Sequence, residues 1–310
     1  MKRIVFMGTP DFSVPILEDL AAQFHVVLVV SQPDKPVGRK HVLTPPPVIT
    51  KARELTLATF QPERIRDAEA IEFLKSVNPD IIVTAAYGQI LPVELLEIPH
   101  HGSINVHASL LPRHRGGAPI HRSIIEGDKE SGVTIMYMEA GLDSGDMISQ
   151  ESTEILSTDT TGTLHERLSA IGSKLLLRTL PEIFNDTHNA VPQDESLVTY
   201  SPNISKDDER LDWSQSARAV DCHIRGLSPW PGAYTMHEGS RVKIYFSRVY
   251  NGATDHDAGT ILFQTDEGFT VACGDGQMVE IIEMQPAGKK RLQAAQWMSN
   301  NLEVINTKFE

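Results

Sequence analysis

Residues 103–119 read SINVHASLLPRHRGGAP, and the first six decide how the fold is read. Ile104 and Val106 belong in a buried strand, yet Asn105 and His107 alternate with them. Side chains two apart on a strand project from one face, so an amide and an imidazole share a side. Working outward, RIVFMG (3–8), HVVLVVS (25–31) and DIIVTAAYG (80–88) are near-continuous apolar runs, as in strands covered on both faces. Between them, VPILEDLAAQF (14–24) and DAEAIEFLKSV (67–77) carry helix-spaced apolar residues. Strand and helix in alternation predict a Rossmann-like α/β domain with a mostly parallel sheet and right-handed crossovers. Such sheets bind ligands at the carboxyl ends of their strands, and Asn105 and His107 lie near one.

The chain has 310 residues, of which 40% are hydrophobic, enough for more than one domain. Its formal net charge is −13, so attraction to a polyanion must come from local basic patches. The two cysteines, Cys222 and Cys273, have no metal-ligand spacing and point to a reduced, cytoplasmic setting. No stretch has the length and apolarity of a membrane span, and the N-terminus has no signal-peptide character.

Residues 31–48, SQPDKPVGRKHVLTPPPV, break the rhythm. They are rich in proline and basic residues, and the expectation is a long exposed loop outside helix and sheet. Residues 162–184 read as a long helix. Residues 185–210 are polar and aperiodic. Residues 214–227 read as a short helix, and five short alternating runs follow between 233 and 285. These predict a catalytic domain at 1–187, a linker at 188–206 and a small OB-like β-barrel domain at 207–310, although a sandwich would read similarly.

A third residue completes the constellation. Asp143, in GLDSGD, follows the strand candidate GVTIMYME (132–139). An asparagine amide can donate to a developing oxyanion. A histidine can exchange a proton near neutral pH, and an aspartate can orient or charge-stabilise it. No serine or cysteine nucleophile adjoins His107. The set fits direct transfer of a small acyl group to an amine. An isolated Asn-X-His is more often a satisfied polar pair, and an aspartate in a glycine-flanked loop is usually a turn former.

INVHASLLPRHRGGAPI (104–120) followed by GVTIMYMEAGLDSGDM (132–147) resembles the signature of the formyltransferases that use 10-formyltetrahydrofolate. VFMGTPDFSVPIL (5–17), QPDKPVGR (32–39), AAYGQILP (85–92), LSPWPGAY (227–234) and QPAGKK (285–290) extend the resemblance over nearly the whole chain, on the branch acting on methionyl initiator tRNA. The resemblance implies catalytic roles for Asn105, His107 and Asp143, with Asn105 as oxyanion donor and the other two managing protons. It implies folate contacts at Ser109, Leu110, Leu111 and Pro112 and around Ile90 and Leu91. It implies 10-formyltetrahydrofolate as formyl donor, no metal in the chemistry, and a monomer with a tRNA-binding C-terminal domain. The candidate tRNA contacts are Lys35, Arg39 and Lys40 in the basic loop and Lys289, Lys290 and Arg291 in the densest basic run. Gly117 stands where relatives often have alanine, with no functional consequence expected.

Other readings carry less. MGTPDF has only Gly8 and lacks the glycine pattern that brings backbone to a dinucleotide pyrophosphate. Glycinamide ribonucleotide and amino-sugar formyltransferases share the triplet, but the basic loop and C-terminal domain favour tRNA. A non-catalytic tRNA-binding protein would need the basic residues Lys206, Arg210, Arg218, Arg225, Arg241, Lys243, Arg248, Lys289, Lys290 and Arg291 clustered on one face. Trp213, Trp230 and Trp297 read as core residues rather than stacking platforms.

Overall fold

The computed structural model describes residues 1–38 and 40–310. The chain opens with β1 (Arg3–Gly8), α1 (Ser13–Gln23) and β2 (His25–Val30), then β3 (Lys35–Val37) and β4 (Val42–Thr44). Next come α2 (Pro47–Glu54), β5 (Thr59–Phe60), α3 (Ala68–Val77), β6 (Ile81–Ala85), α4 (Val93–Leu96) and β7 (Ser103–His107). After α5 (Pro119–Ile125) come β8 (Glu130–Tyr137), β9 (Met147–Glu154) and α6 (Thr161–Phe184).

Seven strands form one sheet in the order β5-β2-β1-β6-β7-β8-β9. Pairing is parallel from β5 through to β7 and antiparallel between β7 and β8. All five residues of β6 are buried, which is why Ile81, Ile82 and Val83 form an unbroken apolar run. The chain leaves β1 toward β2 on one side and returns to β6 on the other. That places a topological switch at the carboxyl ends of β1 and β6, where open α/β sheets leave a crevice. Gly8 ends β1 there because a Cβ would lie 2.7 Å from the Ser13 Cβ. The loops after the two strands are tied together, with Thr9 Oγ1 donating to the Tyr87 carbonyl at 2.7 Å.

The segment 31–48 is not free of regular structure. β3 and β4 pair antiparallel, with Pro36 opposite Leu43, and Pro47 opens α2. A two-stranded ribbon has only edge strands, so a proline's missing N–H can face solvent. Proline also suits the first helical position, where no intrahelical donor is needed.

The second half contains α7 (Ala217–Gly226), β10 (Ala233–His237), β11 (Ser240–Ala253), β12 (Ile261–Gln264), β13 (Phe269–Ala272), β14 (Gln277–Pro286), β15 (Leu292–Gln293) and α8 (Ala294–Ser299). An antiparallel sheet runs β10-β11-β14-β13-β12, with β15 on β14. Ser216 caps α7 by accepting from the Ala219 N–H at 3.2 Å. Trp213, Ile224, Ile244, Phe269, Ile281 and Phe309 belong to the core of this half.

Compactness divides the chain differently from the texture of its sequence. One unit comprises Met1–Gly116, Ser131–Thr153 and His165–Tyr200; the other comprises Gly117–Glu130, Glu154–Leu164 and Ser201–Glu310. Two excursions of the N-terminal half therefore group with the C-terminal one, and most of the expected linker, through Tyr200, groups with the sheet of the first unit. Among the described residues, no helix is long and apolar enough to cross a membrane.

Candidate active site

β7 ends in the two polar residues that interrupt its apolar pattern. Asn105 is flanked by Thr84 on parallel β6 and Met136 on antiparallel β8. Thr84 is buried, and its hydroxyl donates to Asn105 Oδ1 at 2.8 Å. An amide with its oxygen so occupied presents its Nδ2 hydrogens away from that bond. The same hydroxyl lies 3.1 Å from the Ile104 carbonyl, a second acceptor within reach.

His107 is buried, with Nε2 3.0 Å from the His114 carbonyl. A carbonyl only accepts, so Nε2 carries the hydrogen in this contact. The other ring nitrogen, Nδ1, lies 3.7 Å from Asp143 Oδ2, too far for a direct hydrogen bond. Asp143 Oδ2 accepts from the Gly116 N–H at 2.8 Å. Nδ1 and Asp143 Oδ2 therefore flank a gap in which an incoming proton has an acceptor on either side.

The loop 109–116 is fastened to β8 and β9. Thr134, fully buried on β8, donates to the Ser109 carbonyl at 2.7 Å and accepts from the Leu111 N–H at 3.1 Å. Gln150 on β9 donates to the Leu111 carbonyl at 2.8 Å. Ser109 Oγ donates to the Arg113 carbonyl at 2.7 Å. Two non-glycine residues here adopt left-handed backbone, His114 at φ 60° and Asp143 at φ 47°. Such conformations cost roughly 1–3 kcal/mol each and persist where surrounding structure over-determines them. Asp143 follows β8, as its sequence position suggested.

The other sequence candidates fall in three places. On the loop after β6, the Ile90 side chain is 88% exposed whereas Leu91 packs into the core with Leu95 and Ile82. Lys35 and Lys40 are exposed, on and beside the β3–β4 ribbon; Arg39 lies outside the described residues. In the second unit, Lys289 and Lys290 are exposed, and Arg291 binds Glu283 through two nitrogens while its guanidinium lies 4.2 Å from the Tyr245 ring centre.

Burial sorts the basic residues that sequence could only enumerate. Arg225 is buried on α7, bonded to Asp221 at 2.8 Å. Burial pushes the Asp221 carboxyl up, against the pull of Arg225. Arg248 is held by Glu280 and Glu267. Tyr234, Lys243 and Gln285 align across β10, β11 and β14 and so share a face. Arg241, two residues before Lys243, stacks 3.6 Å over Tyr234, and the Tyr245 hydroxyl reaches Gln285 at 3.1 Å. Val242 and Ile244 point the other way, into the core. The result is a strip of cations and aromatic rings on one face of this sheet. Trp213 is buried against Phe309, as expected of a core residue, but Trp230 is 46% exposed.

Both halves of the chain match family models. Residues 1–180 match the formyl transferase model and residues 203–302 match the formyl transferase C-terminal domain. The chain therefore belongs to the formyl transferase family, and it is a formyltransferase enzyme. The methionyl-tRNA formyltransferase of Staphylococcus epidermidis is 49% identical to it over 299 residues, covering 96% of each chain. Among solved structures, the sugar 3N-formyl transferase WlaRD superimposes with a TM-score of 0.68 at 17% identity, covering 94% of this chain and 99% of that one. The N-formyltransferase from Helicobacter canadensis gives 0.69 at 19% identity, covering 91% and 99%. At those identities the two structures bear on the fold alone.

Proposed function

We propose that the protein transfers the formyl group of 10-formyltetrahydrofolate to the amino group of methionyl initiator tRNA. The near-full-length match to relatives named for that activity supports the substrate pair. What supports the chemistry is that Asn105 and His107 lie two apart on β7 and so share a face, with the Asn105 oxygen taken up by Thr84 and the Asp143 carboxylate 3.7 Å from His107 Nδ1.

The amine nitrogen attacks the formyl carbon, and the C–N bond forms as the carbonyl oxygen gains negative charge. Asn105 Nδ2 donates to that oxygen. The amine proton passes to His107 Nδ1, and the Asp143 carboxylate stabilises the imidazolium. Collapse of the intermediate breaks the bond to the folate N10, which takes the proton from His107 and leaves as tetrahydrofolate. Transfer through an enzyme-bound acyl group is unnecessary, because the nucleophile arrives on the tRNA.

The folate occupies the crevice at the strand ends, against Ser109, Leu110, Leu111 and Pro112 and the backbone at Ile90 and Leu91. The C-terminal unit, an OB-like barrel in this reading, uses the Arg241–Tyr234–Lys243–Tyr245–Arg291 strip with Lys289 and Lys290 to hold the tRNA. Cations supply phosphate contacts, and the part-exposed Tyr234 ring supplies a stacking surface. Lys35, Arg39 and Lys40 reach the acceptor end. The enzyme acts as a cytoplasmic monomer and needs no metal for the chemistry. Incubation with 10-formyltetrahydrofolate and charged initiator tRNA, followed by mass analysis of the released aminoacyl group, tests the proposal. A formyl increment on methionine is expected; its absence with both substrates present overturns it.

A further inference from the structure

The polar stretch after α6 reads as a tether, yet it is bonded to both loops that shape the candidate active site. Gln193 is buried, and its Nε2 donates to the carbonyls of Asp143 and Gly145, each at 2.8 Å. Its Oε1 accepts from Arg115 Nε at 2.9 Å. The orientation of this amide is forced, since carbonyls cannot donate and a guanidinium cannot accept. Arg115 is itself buried and pairs with Glu195 at 2.8 Å. Burial works against its charge, but bonds to Glu195 and Tyr200 outweigh that and raise its pKa. The backbone closes the same circuit. The Arg115 N–H donates to the Thr199 carbonyl at 2.9 Å, the His114 N–H to Thr199 Oγ1 at 2.9 Å, and Met147 bridges Val191.

Residues 191–199 thus hold the loop whose His114 carbonyl receives the His107 hydrogen and the loop that carries Asp143. Asp143 is held in left-handed backbone, and Gln193 bonds that residue's own carbonyl. We propose that Gln193 is a positioning residue that sets the Asp143 carboxylate against His107 Nδ1, with Arg115 locking its amide. The proposal rests on the role given to Asp143 above. The Gly116 N–H and the Gln193 amide hold Asp143 from opposite ends, at its carboxylate and its backbone.

The test is a double-mutant cycle on the full-length enzyme. Gln193→Glu keeps an acceptor for Arg115 but removes the amide donors to the two carbonyls. Gln193→Met removes donors and acceptor at similar length. Both are measured alone and with Asp143→Ala, with folding checked by thermal unfolding. A displacement of about 1 Å at a reacting group can cost roughly 10²-fold, so each Gln193 variant alone should lose about 10- to 100-fold in kcat. KM for folate and tRNA should hardly change. With Asp143→Ala present, the same substitutions should cost less than about twofold, because no carboxylate is left to position. A purely structural brace would lower activity equally in both backgrounds, and that result overturns the inference. Near-normal kcat in both folded single variants overturns it too, as does failure of both to fold. If Asp143→Ala alone is nearly fully active, the role of Asp143 falls and the inference with it. Only that failure leaves the Asp143→Ala enzyme active.

Discussion

Asn105→Ala isolates the oxyanion contact from the fold more cleanly than most active-site truncations. Asn105 Oδ1 serves as acceptor for Thr84, and a buried hydroxyl left without a partner costs about 1–3 kcal/mol. Thr84 Oγ1, however, already lies 3.1 Å from the Ile104 carbonyl, so its hydrogen has a second destination when Asn105 is truncated. The stability cost should therefore stay within about 1 kcal/mol, a typical net value for one intramolecular hydrogen bond. Catalysis should suffer far more. Loss of one preorganised oxyanion donor costs roughly 10²–10³ in kcat, about 2.7–4 kcal/mol of transition-state stabilisation. Asn105→Asp sharpens the test. Its carboxylate still accepts from Thr84 but puts an acceptor where the developing negative charge appears, so its loss should exceed that of alanine. The assay is steady-state formylation of charged initiator tRNA at saturating 10-formyltetrahydrofolate, with melting curves for each variant. A folded Asn105→Ala enzyme with kcat within a few-fold of the parent refutes the reasoning. So does an aspartate variant more active than the alanine one.

Replacing Arg241 and Lys243 with alanine should weaken tRNA binding and flatten its salt dependence, by roughly 0.7–0.9 in the log–log slope for every phosphate no longer neutralised; titrations at several salt concentrations read this, and an unchanged slope places the tRNA elsewhere. Arg39→Leu should leave folding and folate binding intact while cutting formylation of charged tRNA by much more than the removal of a single surface cation would. A guanidinium can grip a phosphate bidentately or stack on a base, and unchanged formylation removes that role. Burial raises the Tyr87 hydroxyl from 10.0 to about 12, so the folded state favours the neutral phenol. That stability is fully present below about pH 10 and is lost as pH rises toward 12, by up to about 1.4 kcal/mol per pH unit. Among the described residues this hydroxyl has no hydrogen-bond partner. Tyr87→Phe should therefore leave neutral-pH stability unchanged or improve it by up to ~1–3 kcal/mol, and should lessen the alkaline loss. Part of that loss should remain, because burial also raises Cys273, from 9.0 to about 12. Melting curves at pH 8 and 10.5 check both statements, and an equal alkaline loss in the phenylalanine variant contradicts them.

Sequence alone determined the features that obey short-range periodicity. Near-continuous apolar runs between amphipathic helices announced the mostly parallel sheet, because strands covered on both faces admit few polar residues. The i, i+2 spacing of Asn105 and His107 announced that they share a face. The alternating runs after residue 230 announced the antiparallel unit. Tertiary structure decided what depends on register and on contacts far apart in the chain. Pro36 argued against any strand in 31–48, yet a two-stranded ribbon tolerates it because both its strands are edges. Arg225 looked as available to tRNA as Lys243 until it proved to be buried and paired with Asp221. Thr84, Thr134, Gln150 and Gln193 left no local signal. Each is an ordinary polar residue with partners 16 to 78 residues away, as in Thr84 with Asn105, Gln150 with Thr134 and Gln193 with Asp143 and Arg115. Periodicity records which side of an element faces the core. It does not record which side chain of another element stands opposite, and that pairing sets the geometry of this site.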